Sequence, residues 1–249
     1  MKAKNKKRNI FLITAGCVFL AALTLGITFA YLTDNKDVDN VFTIGDVYLK
    51  IEEPSYPEDE SDRIMVAYSK INKNPMVTNT GTNDEFVFMK VTVPLEDVTL
   101  VDADGKKDDN GKIKQEIFKL ISNSNGAETQ GNISYDPNWV FICDESTDNT
   151  HSYIFAYNKV LLASNNTTAD TVDRVKTEAL FDEVQLKSFI EGEISENVVE
   201  KIEIEAYGIQ ADKLFSINDL NPDSPTEQQL KDIYNIYVRQ NGGTLINET

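Results

Sequence analysis

Apolar and polar residues alternate with a period of two along most of the chain after residue 30. This alternation is typical of strands with one buried face, because successive side chains of a strand point to opposite sides. The clearest cases are residues 47–51, 86–93, 139–143, 153–157 and 201–207, with residues 63–69 and 184–190 as weaker ones. Asn, Asp, Gly and Ser clusters separate these segments, and Pro94 is predicted to end the second. The pattern therefore predicts a mainly β fold, an antiparallel sandwich or barrel.

Two segments have the 3.6-residue period of a helix instead, and we expect them to be insertions in the β-fold. Residues 225–240 are the stronger one, with Ser224 as the predicted N-cap and Glu227 completing a capping box. The apolar stripe of this helix is predicted to join the core and consists of Leu230, Ile233, Tyr234 and Tyr237. In residues 113–121 the strand and helix patterns compete.

The first 30 residues have the organisation of an export signal. Five cationic residues (Lys2, Lys4, Lys6, Lys7 and Arg8) precede Ile10–Ala30, a run without a charged side chain. Thr28 and Ala30 supply the small residues that a cleavage site needs, so we predict cleavage between Ala30 and Tyr31. An uncleaved signal anchor is the alternative, because about 20 apolar residues can span a bilayer.

The charge of the chain limits its partners. Among 249 residues, 41 acidic side chains exceed 24 basic ones, which gives a formal net charge of −17. Without the five cations of the signal, 19 basic side chains remain against 41 acidic ones, a net charge of −22. Nucleic-acid affinity comes from Lys and Arg at the phosphates, so no nucleic-acid partner is expected. Like charge also opposes self-association, and we expect any assembly to strengthen with salt or divalent cations.

Residues suited to catalysis are sparse. The single histidine, His151, has no second histidine to join in a zinc site, and we interpret it as an exposed loop residue. HExxH, GxSxG and glycine-rich phosphate-loop motifs are absent from the sequence. Once the signal is removed, Cys143 is the only cysteine, and its apolar neighbours predict a buried thiol without a disulfide partner. We therefore predict a protein that is not an enzyme.

One acidic loop is a candidate calcium site. Its carboxylates are Asp102, Asp104, Asp108 and Asp109, and oxygen ligands of this kind suit Ca²⁺. The spacing is not that of an EF-hand, because the twelfth position counted from Asp102 is Ile113 rather than glutamate. A charged hairpin loop without a metal is the preferred interpretation.

The segment after the predicted cleavage site has the character of an added strand. Residues 34–40 are polar, and residues 41–45 (VFTIG) form a short apolar strand candidate. An extended segment of this type can pair with an exposed sheet edge of another molecule.

Several motifs, taken in their order along the chain, are similar to those of the TasA/camelysin family. These are exported biofilm-matrix proteins of Gram-positive bacteria, processed by a dedicated, SipW-type signal peptidase. The matching segments are Ala30–Asp34, Asn40–Val47, Lys73–Gly81, Phe86–Pro94, Trp139, Leu180–Val184 and Ala206–Ala211. Together they extend over nearly the whole chain after residue 30.

The resemblance implies a secreted, jelly-roll-like β-sandwich, residues 46–249, that polymerises head-to-tail into extracellular fibres. Residues 31–45 would be the assembly segment, a donor strand that completes a sheet of the next copy. Its candidate apolar anchors are Leu32, Val38, Val41, Phe42 and Ile44. The implied partners are other copies of the chain, the signal peptidase during export, and an accessory protein that nucleates fibres.

Two alternatives accompany this interpretation. The first is a surface adhesin or fibre-accessory protein that does not polymerise. The second is the metalloprotease activity described for some members of the family. Because this sequence contains no recognisable zinc motif, that activity is not transferred to it.

Overall fold

The computed structural model describes residues 48–194, 201–214 and 217–242. The strands are β1 (Leu49–Glu52), β2 (Lys70–Asn72), β3 (Met76–Asn79), β4 (Glu85–Val98), β5 (Ile113–Glu116), β6 (Phe118–Ile121), β7 (Glu128–Gln130), β8 (Ile133–Tyr135), β9 (Trp139–Ser146), β10 (Thr150–Tyr157), β11 (Glu183–Leu186) and β12 (Glu203–Gln210). These residues also form one α-helix, α1 (Glu227–Gln240), and short 3₁₀ helices at Glu60–Arg63, Ser164–Asn166, Val172–Val175 and Ala211–Lys213. The mainly β prediction is confirmed.

The strands form two five-stranded sheets and one separate pair. Sheet I has the order β12-β4-β10-β9, and β5 pairs with the far end of β4. Sheet II has the order β2-β11-β6-β8-β7, and β1 pairs with β3. All described pairs are antiparallel except β6 with β8, which meet in parallel at Leu120 and Ile133.

Strand β4 lies inside sheet I, and both of its faces are buried. One face contributes Val87, Met89, Val91 and Val93 to a main core, which also contains Leu120, Ile133, Val184, Trp139, Tyr153 and Phe155 from both sheets. On the other face, Phe86 and Phe88 pack with Ile142 and Ile154 against helix α1. Burying such side chains contributes roughly 1.5–3 kcal/mol each. Sheet I is therefore covered by sheet II on one side and by the helix on the other.

The prediction that Pro94 ends its strand is wrong. Pro94 pairs with Thr150 of β10, and β4 continues to Val98. The N–H of Leu95 donates to Asn149 on the β10 side, so the ring nitrogen of Pro94 faces the opposite side. There the pairing with β12 has already ended at Thr92, and the pairing with β5 begins only at Leu95. The missing donor of proline therefore leaves no partner unsatisfied.

The helix lies close to its predicted place, but its cap is different. Thr226 is the N-cap: its hydroxyl accepts a hydrogen bond from the N–H of Gln229 at 3.2 Å, and Gln229 Oε1 accepts one from the N–H of Thr226 at 2.9 Å. The box therefore starts two residues after Ser224. The predicted stripe of Leu230, Ile233, Tyr234 and Tyr237 is buried. In residues 113–121, strands β5 and β6 replace the helix alternative.

Candidate functional site

Strand β9, like β12 at the opposite margin of sheet I, has an outer backbone edge without a strand partner among the described residues. Strand β9 pairs with β10 from Trp139 opposite Tyr157 to Ser146 opposite His151. No strand of the described ranges pairs with its other edge. At eight residues, β9 is longer than β2 and β7, the three-residue margins of sheet II. An edge of this length is a template for a strand from another molecule.

The two halves of β9 differ in chemical character. The first half, Trp139–Cys143, is apolar and packs against both cores, whereas Asp144 and Glu145 are exposed carboxylates. A β-bulge lies inside the apolar half, at Ile142, because Ile154 of β10 is opposite Cys143 whereas the next residue, Phe155, is opposite Phe141. Charges protect an edge from unwanted pairing, and a bulge interrupts the ladder locally. Because it carries no charge, the apolar half is, apart from this bulge, the part of the edge most suited to accept a strand.

The single thiol of the described residues lies beside the bulge. Cys143 is half-buried and packs near helix α1. Burial raises the pKa of this thiol to about 12, with Glu145 and Asp144 adding to the rise. Since the thiolate is the reactive form, Cys143 is inert at neutral pH. The thiol is therefore half-buried, where the sequence predicted a buried one.

A buried carboxylate organises the corner where β5 leads into β6. Oε1 of Glu116 accepts hydrogen bonds from the Tyr153 hydroxyl at 2.5 Å and contacts His151 Nδ1 at 2.7 Å. Oε2 accepts one from the side-chain amide of Asn132 at 2.7 Å. His151 Nε2 lies 2.9 Å from a carboxylate oxygen of Asp144. The cluster connects β9, β10, the end of β5 and the residue before β8.

This cluster corrects the interpretation of His151 as an exposed loop residue. His151 is the second residue of β10, and only 21% of its side chain is exposed. Both ring nitrogens face carboxylate oxygens, which only accept hydrogen bonds. Each of these oxygens can therefore accept a hydrogen bond from the ring nitrogen that it faces. Its partners Glu116 and Asp144 lie 35 and 7 residues away in the sequence.

A glycine gives Tyr153 the space that this network needs. Gly131 has a φ of +58°, and a Cβ placed there would lie 2.6 Å from the Tyr153 hydroxyl. We expect Gly131→Ala to lower the free energy of unfolding by about 2–4 kcal/mol, from left-handed strain plus displacement of the ring. Gly126→Ala is the matched control, because Gly126 has a φ of +80° with no atom within 4 Å of the added Cβ. If urea unfolding gives the two variants equal losses of unfolding free energy, the packing of Gly131 against Tyr153 does not contribute to stability.

A second buried carboxylate lies at the start of β4. Glu85 is fully buried, and no residue of the described part hydrogen-bonds its side-chain oxygens at ordinary distance. Burial raises the pKa of Glu85 to about 8; the backbone of Tyr48 opposes the rise, and Asp84 adds to it. Asp84 itself accepts hydrogen bonds from Ala163 and Asn166. Glu85 is therefore largely protonated at neutral pH.

Two aspartates of the candidate calcium loop hydrogen-bond the backbone of the loop's own turns. Oδ1 of Asp102 accepts hydrogen bonds from the N–H groups of Asp104 and Lys106, and Oδ1 of Asp108 accepts one from Asn110. Asp109 is exposed. Among the residues that the structure describes, no three His, Cys, Asp or Glu side chains meet in a metal-binding arrangement. Calcium binding by this loop stays a prediction.

The predicted export and assembly residues lie outside the described residues. They are the cleavage pair Ala30 and Tyr31 and the anchors Leu32, Val38, Val41, Phe42 and Ile44. Within the described ranges, no helix has the length and apolar character that a membrane crossing requires.

Comparisons with known proteins leave the family open. No family model matches the chain, and neither a curated protein nor a solved structure matches it.

Proposed function

We propose that this chain is a secreted structural subunit of extracellular biofilm-matrix fibres. In this proposal, residues 31–45 of one copy add as a donor strand to the sheet edge of the next. The observation that carries the proposal is the outer edge of β9, which no described strand occupies. The family resemblance of the sequence adds the jelly-roll-like topology and the fibre context.

The donor segment and the outer edge of β9 are chemically compatible. The donor candidate is polar in residues 34–40 and apolar in residues 41–45. Its apolar part suits Trp139–Cys143, because added strands gain affinity from backbone hydrogen bonds and specificity from alternate side chains. The contact joins different surfaces of two copies and is heterologous, so it produces a filament when the rotation does not close a ring.

The first experiment changes the donor segment and leaves the described fold intact. In one variant Val38, Val41, Phe42 and Ile44 become serine; in the matched control Asn35 and Asn40 of the same segment become serine. We expect the apolar variant to be secreted as a folded monomer, because it loses its anchors, while the control still forms filaments. Negative-stain electron microscopy and sedimentation of the secreted protein provide the readout.

The outcomes separate the alternatives. Normal filaments from the variant without the apolar anchors, or from a chain lacking residues 31–42, would refute the donor-strand proposal. Monomers from the unmodified secreted protein would favour the adhesin or accessory function. A cross-β diffraction pattern with a spacing of about 4.7 Å would indicate that the fibre is an amyloid rather than a stack of folded subunits.

A further inference from the structure

The described fold begins at a fixed point beside the start of β4. The carbonyl of Tyr48, the first described residue, accepts hydrogen bonds from the N–H and the hydroxyl of Thr80, at 2.8 and 3.0 Å. Directly after Tyr48, β1 pairs with β3 as far as Asn79. The side-chain amide of Asn79 donates to the carbonyl of Leu161, whose backbone pairs with that of Glu85. The position of Tyr48 relative to sheet I is therefore set by these contacts.

The outer edge of β9 begins at the same end of sheet I, but several strand positions away. Ala156 of β10 lies opposite Phe88 of β4 on one side and opposite Val140 of β9 on the other. Glu85 is three residues before Phe88, whereas β9 begins one residue before Val140. A strand added outside β9 lies two to three strand spacings from the place of Leu161 and Glu85, about 10–14 Å sideways, with an offset of about 7 Å along the strands. The straight-line distance is about 12–16 Å.

The tether between the donor segment and the fold is shorter than this distance. From Gly45 to Tyr48 the chain has three peptide links, which span at most about 11 Å when fully extended. In the antiparallel order, Gly45 would have to lie beside Trp139 of the same copy, about 12–16 Å away. The N–H of Asn158 donates to the carbonyl of Asn138, so β10 and β9 continue at this end and the path around them is longer still. Residues 41–45 therefore do not reach the apolar half of β9 in their own copy.

Other placements of the segment on its own edge fit less well. In the parallel order Gly45 would lie beside Cys143, four residues farther from the start of β9. A slip of two residues in the antiparallel order would lengthen the tether by about 7 Å, enough to reach. It would also bring Asp39 and Asn40 against the apolar half of β9 and leave Ile44 outside it. Polar groups taken out of water without partners cost free energy, so this register is unfavourable.

We propose that the short tether restricts the β9 edge to the donor segment of a second copy. The inference rests on the proposed function and adds its regulation. Because a chain does not seat its apolar anchors on its own edge, that edge stays open until another copy binds. The segment of another copy has no such restriction, since its whole subunit approaches from outside. The length of the tether therefore decides between a head-to-tail filament and a monomer that caps itself.

A longer tether is expected to abolish filaments. Eight Gly and Ser residues inserted between Asp46 and Val47 add a root-mean-square length of about 16 Å, so residues 41–45 reach the edge of their own copy. A short flexible linker gives an effective concentration in the mM range, and self-capping should exceed assembly about a hundredfold at about 10 µM protein. In the matched control, the same eight residues between Asp34 and Asn35 lengthen the segment but not the tether, and filaments should persist. Electron microscopy and sedimentation of the secreted protein measure the difference.

A labelled synthetic peptide with the sequence of residues 31–46 reports whether the edge is open. Two long-tether chains are compared by fluorescence anisotropy, one with its anchors intact and one with serine at the four anchors changed in the donor variant (Val38, Val41, Phe42 and Ile44). We expect the chain with intact anchors to bind the peptide at least tenfold more weakly, because it fills its own edge. Both chains carry the same insertion, so any disturbance of the fold by the linker affects them equally.

The outcomes separate this inference from the fibre proposal. The inference is overturned if the long-tether chain forms filaments like the original chain, or if it binds the peptide as well as its four-serine form does. An original chain that stays monomeric and refuses the peptide, while its four-serine variant binds it, also overturns it, because the short tether would then reach. Failure of the donor-strand proposal itself looks different: the four-serine variant with the original tether would keep its filaments and would not bind the peptide.

Discussion

Replacing Glu85 by glutamine is expected to stabilise the folded chain, and the gain should grow with pH. The carboxyl group is fully buried without an ordinary hydrogen-bond partner in the described chain, and burial raises its pKa to about 8 from 4.5. Between these two values the folded chain binds a proton that the unfolded chain has released. The contribution of Glu85 to stability is therefore fully present below about pH 4.5 and is lost as the pH rises to about 8.

The size of this effect follows from the width of the pH window. Each unit of pKa difference corresponds to roughly 1.4 kcal/mol, so the folded chain loses on the order of 4 kcal/mol between these pH values. Glutamine has nearly the shape of protonated glutamic acid and does not ionise. Glu85→Gln should therefore match the original chain at pH 5 and exceed it by several kcal/mol at pH 9.

Urea unfolding at pH 5, 7 and 9 measures this difference. Asp97→Asn is the matched control, because Asp97 lies on the same strand, β4, but is exposed. Removing its charge should leave the pH dependence almost unchanged, since water already solvates it. If Glu85→Gln and the original chain lose stability in parallel as pH rises, Glu85 is not the buried acid described above.

The sequence predicts the strands of the core better than their ends. Residues 86–93 alternate, and the side chains of β4 do divide between the main core and the helix side. Both faces are buried because sheet II and α1 cover them, and a local pattern does not show a second cover. The continuation through Pro94 depends on where β12 and β5 stop along β4. The residues of β12 that decide this lie more than 100 positions after Pro94 in the sequence.

The two buried glutamates show why the site chemistry was missed. Glu85 precedes a strand pattern and resembles an ordinary turn acid in the sequence. Its neighbours are distant in the sequence: its backbone pairs with that of Leu161 across 76 residues, and the backbone of Tyr48 opposes the rise in its pKa. Glu116 ends a weak amphipathic segment, and its partners come from β10 and the residue before β8. The one contact of the Glu116 cluster that is local in the sequence joins Asp144 and His151, which the hairpin of β9 and β10 brings together.

Replacing Glu116 by glutamine is expected to destabilise the fold, in contrast to the same change at Glu85. Glu116 is 5% exposed, but both of its oxygens are engaged, by Tyr153, His151 and Asn132. Glutamine keeps one acceptor and turns an amide towards the amide of Asn132, so one donor loses its partner. It also removes the charge that faces the His151 ring. Hydrogen bonds to charged groups contribute roughly 1.5–3 kcal/mol, and we expect a loss of about 2–3 kcal/mol at pH 7.

The cause of that loss can be assigned with a second change. Tyr153→Phe removes one donor to Glu116, so the double variant should lose less than the sum of the two single losses, with a coupling of about 1 kcal/mol or more. Because His151 is the only histidine, its ring gives one set of NMR signals, which reports loss of the Glu116 contact directly. Additive losses with unchanged ring signals would mean that the cluster is not a network. The burial of a carboxylate alone does not decide its effect: Glu85 costs stability because no described residue hydrogen-bonds its oxygens at ordinary distance, and Glu116 contributes stability because three donors converge on it.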